Sequence, residues 1–408
     1  MRTATLAAIA TAALAVITHA QTAAPPATLF EGARVIIGDG RPALENTSIL
    51  VVDGVIRQVG RSAEMKVPAG AVRVGAAGRT IMPAIVDTHV HTGQTREALE
   101  GDLRRRAYWG ISAVMSLGQD TGDAPFQIRA ERPAALPRFF TAGRGLTMPE
   151  PGRSAAPYWI TTAAEGRKAV QELAAKKVDI VKIWVDDRNG QFKKLTPDLY
   201  GPIIDEAHRQ KLRVTAHLFT LDDAKGLLRA GIDAFAHGVR DRDVDNEFLA
   251  QVKGRPDFVL VPNLPDRGVR TDVAWLRASL SPQELQALEK GNTDRPDAQA
   301  AFAIQAKNLA RMNAAGVRIA LGSDGNTPWA PHAEMADMVA AGMTPAQVIT
   351  AATRNGARFL GMMDAGTIES GMRADFIVLQ GNPLDDITHT RRIEAVYLNG
   401  RAVDRAAR

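Results

Sequence analysis

Ile81-Met82-Pro83-Ala84-Ile85-Val86-Asp87-Thr88-His89-Val90-His91 is an apolar, β-branched run that ends on ionisable residues. Continuous apolar runs of this kind read as strands buried on both faces, the signature of a parallel sheet. The spacing predicts a strand over 81–87. A period of two then sends His89 and His91 to the same side, as two ligands of one cation require.

Working outward, seven further runs share this texture: Ser112–Ser116, Arg138–Ala142, Asp179–Val185, Arg213–Ala216, Ala234–Ala236, Phe258–Val261 and Arg318–Gly322. Amphipathic stretches such as Ala163–Lys177, Pro197–Gln210, Ala224–Ala230 and Ala300–Ala315 separate them. Strands alternating with helices predict a parallel sheet with crossover helices, and eight such units close into a (β/α)8 barrel. The expected fold class is α/β, with the barrel at 81–361. The longest insertion, Pro262–Arg295, is placed to form a lid.

The flanks differ from this middle. Short alternating runs such as Ser48-Ile49-Leu50-Val51-Val52 and Val72-Arg73-Val74, broken by Asp53-Gly54, predict a small β module. The texture returns in Asp375-Phe376-Ile377-Val378-Leu379 and before Asn399-Gly400. A length of 408 residues suits one barrel plus a smaller domain.

Met1-Arg2-Thr3, an apolar stretch to Ile17 and a small residue at Ala20 match a signal peptide over 1–20. Export to a periplasm is expected, with no membrane attachment after cleavage. There is no cysteine, so any metal must be held by His and carboxylate-type ligands. The net charge of +5 is spread along the chain, and its longest basic run, Arg104-Arg105-Arg106, reads as a solvated helix face. Nucleic-acid binding is not expected.

Barrel active sites collect at the C-terminal ends of the strands. Besides His89 and His91, the expected strands carry Lys182 in the fourth, His217 after the fifth, His237 after the sixth and Asp324 after the eighth. One histidine at a strand end is ordinarily a hydrogen-bonded structural residue, but four at matched ends are not. His332 is the one further histidine expected near the mouth. A lysine inside an apolar strand is driven toward its neutral amine, which can take up carbon dioxide to give an anionic, two-oxygen carbamate. The alternative is a lysine paired with Asp179 or Asp186.

These six positions, in this order, resemble the binuclear branch of the amidohydrolase superfamily, which commonly has glycine where this chain has Ala84. The resemblance implies that His89, His91 and Asp324 bind one metal, that His217 and His237 bind a second, and that Lys182 is the carbamylated bridge. It also implies that Asp53-Gly54-Val55-Ile56 and Gly371-Met372-Arg373-Ala374-Asp375-Phe376 are the halves of a composite β-sandwich, 27–80 and 362–408. Zinc is the default metal for such ligands, and two divalent ions would supply hydroxide from a bridging water. Asp324 then serves as both ligand and proton shuttle.

Arg240, just past His237, is the candidate for gripping a substrate carboxylate. The expected activity is hydrolysis of an amide or peptide bond in a small molecule or short peptide, with a homo-oligomer compatible with the sequence. A lactonase, esterase or phosphotriesterase would use the same centre, and a non-catalytic extracytoplasmic binding protein is the reading from another class. A deaminase is disfavoured, because Leu218-Phe219-Thr220 after His217 lacks the glutamate such enzymes place there.

Overall fold

The computed structural model describes residues 27–406, so the expected signal segment at 1–20 lies outside the described residues. Five strands come first: β1 (Thr28–Val35), β2 (Leu44–Val52), β3 (Val55–Gly60), β4 (Val72–Gly75) and β5 (Thr80–Pro83). The middle holds β6 (Ile85–Val90), β7 (Ile111–Ser116), β8 (Arg138–Thr141), β9 (Leu146–Thr147), β10 (Tyr158–Trp159), β11 (Val181–Val185) and β12 (Val214–Leu218). After them come β13 (Ala234–Ala236), β14 (Val259–Val261), β15 (Arg318–Ile319), β16 (Phe376–Leu379), β17 (Ile393–Leu398) and β18 (Arg401–Ala402).

One eight-stranded sheet runs β18-β17-β16-β5-β1-β2-β3, with β4 beside β1, so it draws strands from both flanks of the sequence. Phe30 holds these flanks together, meeting the rings of Phe376 and Tyr397 at 5.0 and 4.8 Å. At one end the Asp53-Gly54 and Asn399-Gly400 turns lie against each other. Gly54 has φ +74, and a Cβ there would come within 2.7 Å of the Asn399 carbonyl, so only glycine permits the approach.

The middle strands are all parallel, in sheets β6-β7-β8 and β10-β9-β11-β12-β13-β14-β15. Backbone bonds join these two sheets on both sides. Asp179 donates to the Thr141 carbonyl at 2.9 Å, between β8 and the residues entering β11, and Thr88 of β6 donates to the Leu321 carbonyl at 3.0 Å, past β15. All six residues of β6 and all five of β11 and of β12 are buried, as parallel strands covered on both faces require. The intervening helices start where capping chemistry allows. Thr162 and Glu165 form a reciprocal capping box at Ala163–Ala175, and proline opens Pro197–Arg209 and Pro296–Ala314. Among the described residues no helix is long and apolar enough to cross a membrane.

Three expectations change. The single strand expected over 81–87 is two: β5 pairs with β16 in the mixed sheet, and β6 pairs with β7 in the parallel one. The switch occurs at Ala84, whose N–H goes to the Asp375 carbonyl while that of Ile85 goes to the Gly110 carbonyl. An unbroken apolar run carries no sign of a change of partner. Second, Arg106 is no solvated residue. It is 1% exposed, donating to the Gly325 carbonyl at 2.8 Å and facing Asp87 at 3.5 Å, while Arg104 and Arg105 do face outward. Third, part of the insertion after β14 is docked on the flank. Trp275 packs edge-on against Trp109, which precedes β7, with 5.3 Å between ring centroids.

Candidate metal centre

β6 presents His89 and His91 from one side of the strand, and both reach the same atom. Their Nε2 atoms each lie 3.0 Å from Asp324 Oδ1, and Nε2 of His237 lies 3.5 Å from Asp324 Oδ2. The ligand atoms of His89, His237 and Asp324 all fall within 4.8 Å of one another, close enough to share one cation. His217 closes the cluster from β12, its ring centroid 4.5 Å from that of His237.

The backbone is strained at this cluster. His237, Asn263 and Asp324 follow β13, β14 and β15 with φ of +141, +43 and +49, values that non-glycine residues avoid. Such strain persists only where the surroundings impose it, and it gathers at functional sites. Gly322 makes room for it: a Cβ there would meet Val261 at 2.5 Å and the His89 Cβ at 2.9 Å.

Burial sets the protonation states. It pushes His89 down to about 4 and His217 down to about 3, and lowers His237 as well, so the imidazoles are neutral at pH 7 with lone pairs free for a metal. Burial alone would raise Asp324, but the neighbouring His89, His91 and His237 outweigh it and hold the carboxyl well below the usual carboxylate range.

Lys182 lies fully buried in β11, and its Nζ has no hydrogen-bond partner among the described residues. Burial pushes the amine down to about 7; Asp324 opposes this and Arg240 and Arg188 reinforce it. The two carboxylates weighed as partners are engaged elsewhere. Asp179 takes two bonds of 2.6 Å from Arg129, and Asp186 takes bonds from Arg188 and His217 at 2.6 and 2.8 Å. Burial thus favours the neutral amine of Lys182, which lies among histidines and a carboxylate.

The donor set therefore fits divalent cations: neutral imidazoles, one ionised carboxylate and an unsatisfied amine converge. The fit is most complete for His89, His237 and Asp324. His217 Nε2 faces Asp186 at 2.8 Å and Arg188 at 3.0 Å, so a cation bound there would have to displace the guanidinium. His332 takes no part. It is buried between the Trp109 carbonyl and the Thr390 hydroxyl, a structural histidine.

Arg240 is mostly buried and its Nε has no partner; its charge depresses Lys182, His217 and His237, which places it against the cluster. With Arg188, Phe192 and Phe219 it lines a cavity of about 340 Å³. Sequence reasoning missed the supporting roles of four residues. Asn263 Oδ1 stands 3.0 Å from His89 Nδ1, Asp186 and Arg188 hold His217, and Asp87 braces the Asp324 loop through Ser323 at 2.6 Å. Asp87 was visible in the first motif, whereas nothing in the local pattern marks Asn263.

Residues 80–403 match the amidohydrolase family. The chain belongs to that family. Among characterised relatives, ochratoxinase of Aspergillus niger is 27% identical, over 90% of this chain and 84% of its own. Imidazolonepropionase of Deinococcus radiodurans is 26% identical, over 88% of this chain and 92% of its own. The candidate prolidase of Bifidobacterium longum superposes with a TM-score of 0.78 at 25% identity, covering 93% of this chain and 95% of that one. As an amidohydrolase, this protein is a hydrolase acting on carbon–nitrogen bonds.

Proposed function

We propose that this amidohydrolase is an exported, metal-dependent enzyme that cleaves the amide or peptide bond of a small substrate bearing a free carboxylate. In this reading residues 81–361 form a closed (β/α)8 barrel, supported by the backbone bonds that join the two parallel sheets. Residues 27–80 and 362–408 form its composite β-sandwich, a division supported by the shared eight-stranded sheet, although β5 straddles the 80/81 boundary.

The observation that carries the reading is the buried, partnerless Nζ of Lys182 among His89, His217, His237 and Asp324. His89, His91 and Asp324 would hold one cation and His217 and His237 another. The Lys182 amine, losing a proton as it bonds carbon dioxide, would bridge them. Zinc suits these ligands. Bound there, the cations would supply a water acidified to near neutral pH and a polarised scissile carbonyl.

The remaining work falls to the protein. Asp324 takes the proton from the attacking water and returns it to the leaving nitrogen, so water adds across the bond and an acid and an amine depart. Arg240, desolvated and with its Nε unpartnered, receives the substrate carboxylate as a charge-assisted, two-pronged pair. Phe192 and Phe219 beside it favour an apolar group next to that carboxylate. The names of the relatives, ochratoxinase, imidazolonepropionase and prolidase, support a small substrate.

A panel of dipeptides, N-acyl amino acids, lactones and phosphotriesters, assayed on metal-loaded protein, tests the proposal. Turnover of carboxylate-bearing amides above all other classes is expected. Preference for lactones or phosphotriesters, or no turnover of any class, would contradict it.

A further inference from the structure

Away from the metal centre, the insertion after β14 and the helix Ala330–Ala340 enclose a cavity of about 510 Å³ lined by Trp275, Leu276, Leu288, Trp329, Asp337 and Arg391 among others. No residue of the metal cluster lines it, nor does Arg240. Its volume is that of a small-molecule pocket, and its wall sets the aromatic and aliphatic surface of Trp275, Leu276, Leu288 and Trp329 among arginine and aspartate side chains.

Arg391 is the unusual member. Its guanidinium lies over the Trp275 ring, 4.6 Å from the centroid, and its Nε is buried with no partner. Among the described residues its hydrogen bonding is limited to a 3.5 Å contact from Nη2 to the His332 carbonyl, and none of their carboxylates lies within ion-pair distance of it. Three acids act on it only through space: Asp337 is paired with Arg267 at 2.9 Å, Asp272 accepts from the Ala274 N–H at 2.8 Å, and Asp386 is bonded to the backbone and hydroxyl of Thr388. A guanidinium stays protonated even when burial opposes it, so a desolvated, unpaired charge faces the space. Leaving such a group without a counter-ion is costly, and a bound anion would relieve it.

We propose that this cavity is a second ligand site, taking a small monocarboxylate with a flat apolar body. The carboxylate pairs with Arg391, and the body packs between Trp275, Trp329 and the leucines. The lining is mixed in charge: Asp266 and Asp337 are paired with Arg295 and Arg267 at 2.5 and 2.9 Å, which leaves the Arg391 guanidinium to receive the anion.

Phenylacetate and its neutral amide, phenylacetamide, are suitable probes, titrated into metal-loaded protein and followed by tryptophan fluorescence and calorimetry. Trp275 and Trp329 are two of five tryptophans, so occupancy perturbs the signal directly. Saturable binding of phenylacetate is expected, with phenylacetamide weaker by roughly tenfold or more, the worth of one charge-assisted contact. Arg391→Met and Ala333→Phe, the latter filling the cavity without altering charge, should each weaken phenylacetate by a similar factor, while Arg240→Met leaves this binding intact. Ala333→Phe decides the matter alone if Arg391→Met does not fold. Absence of saturable binding, binding unchanged by the cavity substitutions, or loss confined to Arg240→Met would overturn the proposal.

Discussion

A histidine that binds a cation through Nε2 must be neutral and carry its proton on Nδ1. Burial gives His89 the first property, and the Asn263 carbonyl oxygen, 3.0 Å from Nδ1, gives it the second. Such outer partners orient ligands and raise their basicity, and losing one typically weakens metal binding by about 10–100-fold. Asn263→Leu is therefore expected to lose cation affinity on that scale in chelator competition, while Asn263→Asp, which keeps an acceptor, retains most of it. Equal affinities in wild type and Asn263→Leu would show that the contact is incidental. Arg240 makes a different prediction, because its proposed role is to bind substrate. Arg240→Met should raise KM strongly for carboxylate substrates and leave their amidated analogues nearly unchanged, as the loss of uniform binding requires. Equal losses on both substrates would indicate a structural role.

At the scale of elements, the strand ends carry the site. Each of the three consecutive strands β13, β14 and β15 is followed, within five residues, by a residue in positive φ, and Gly322 supplies the space that lets His89 sit beside Asn263. Gly322→Ala would force a Cβ against Val261 and His89, an overpacking that costs about 1–3 kcal/mol. Lower thermal stability together with weaker metal retention is expected by calorimetry and elemental analysis, and unchanged values of both would contradict this view of the strand ends. Much of this scale was legible in advance. The period of two brought His89 and His91 to one side, and short β-branched runs located β7, β8, β11 and β13 to within two residues. The limits were physical. A run such as 81–87 cannot disclose that its backbone changes partners at Ala84, and a dipeptide pair such as β9 and β10 is too short to carry a period. Arg106 shows the same boundary, because a charge buried against Asp87 looks, in sequence, like any basic residue on a helix. Asn263 was hidden because its role depends on a contact 174 residues away.

For the whole molecule, one mixed sheet ties both flanks of the chain to the parallel strands, and β5 running into β6 makes that tie continuous at the first two ligands. The candidate metal centre thus depends on the mixed sheet as well as on the parallel strands. The proposed export is tested on the full chain too. Protein recovered from its native host is expected to begin near Gln21, and N-terminal sequencing that found an intact Met1 would count against secretion.

The central claim is that Lys182 bridges two cations, and elemental analysis of Lys182→Ala beside wild type tests it most directly, each protein saturated with zinc and bicarbonate. About two ions per wild-type chain are expected, since six candidate ligand groups exceed one tetrahedral site. The variant should hold fewer and recover part of the deficit when acetate or propionate supplies two untethered oxygens, incompletely because tethering raises effective concentration. Full occupancy in Lys182→Ala without added acid, or a wild type that saturates at one ion, would contradict the account.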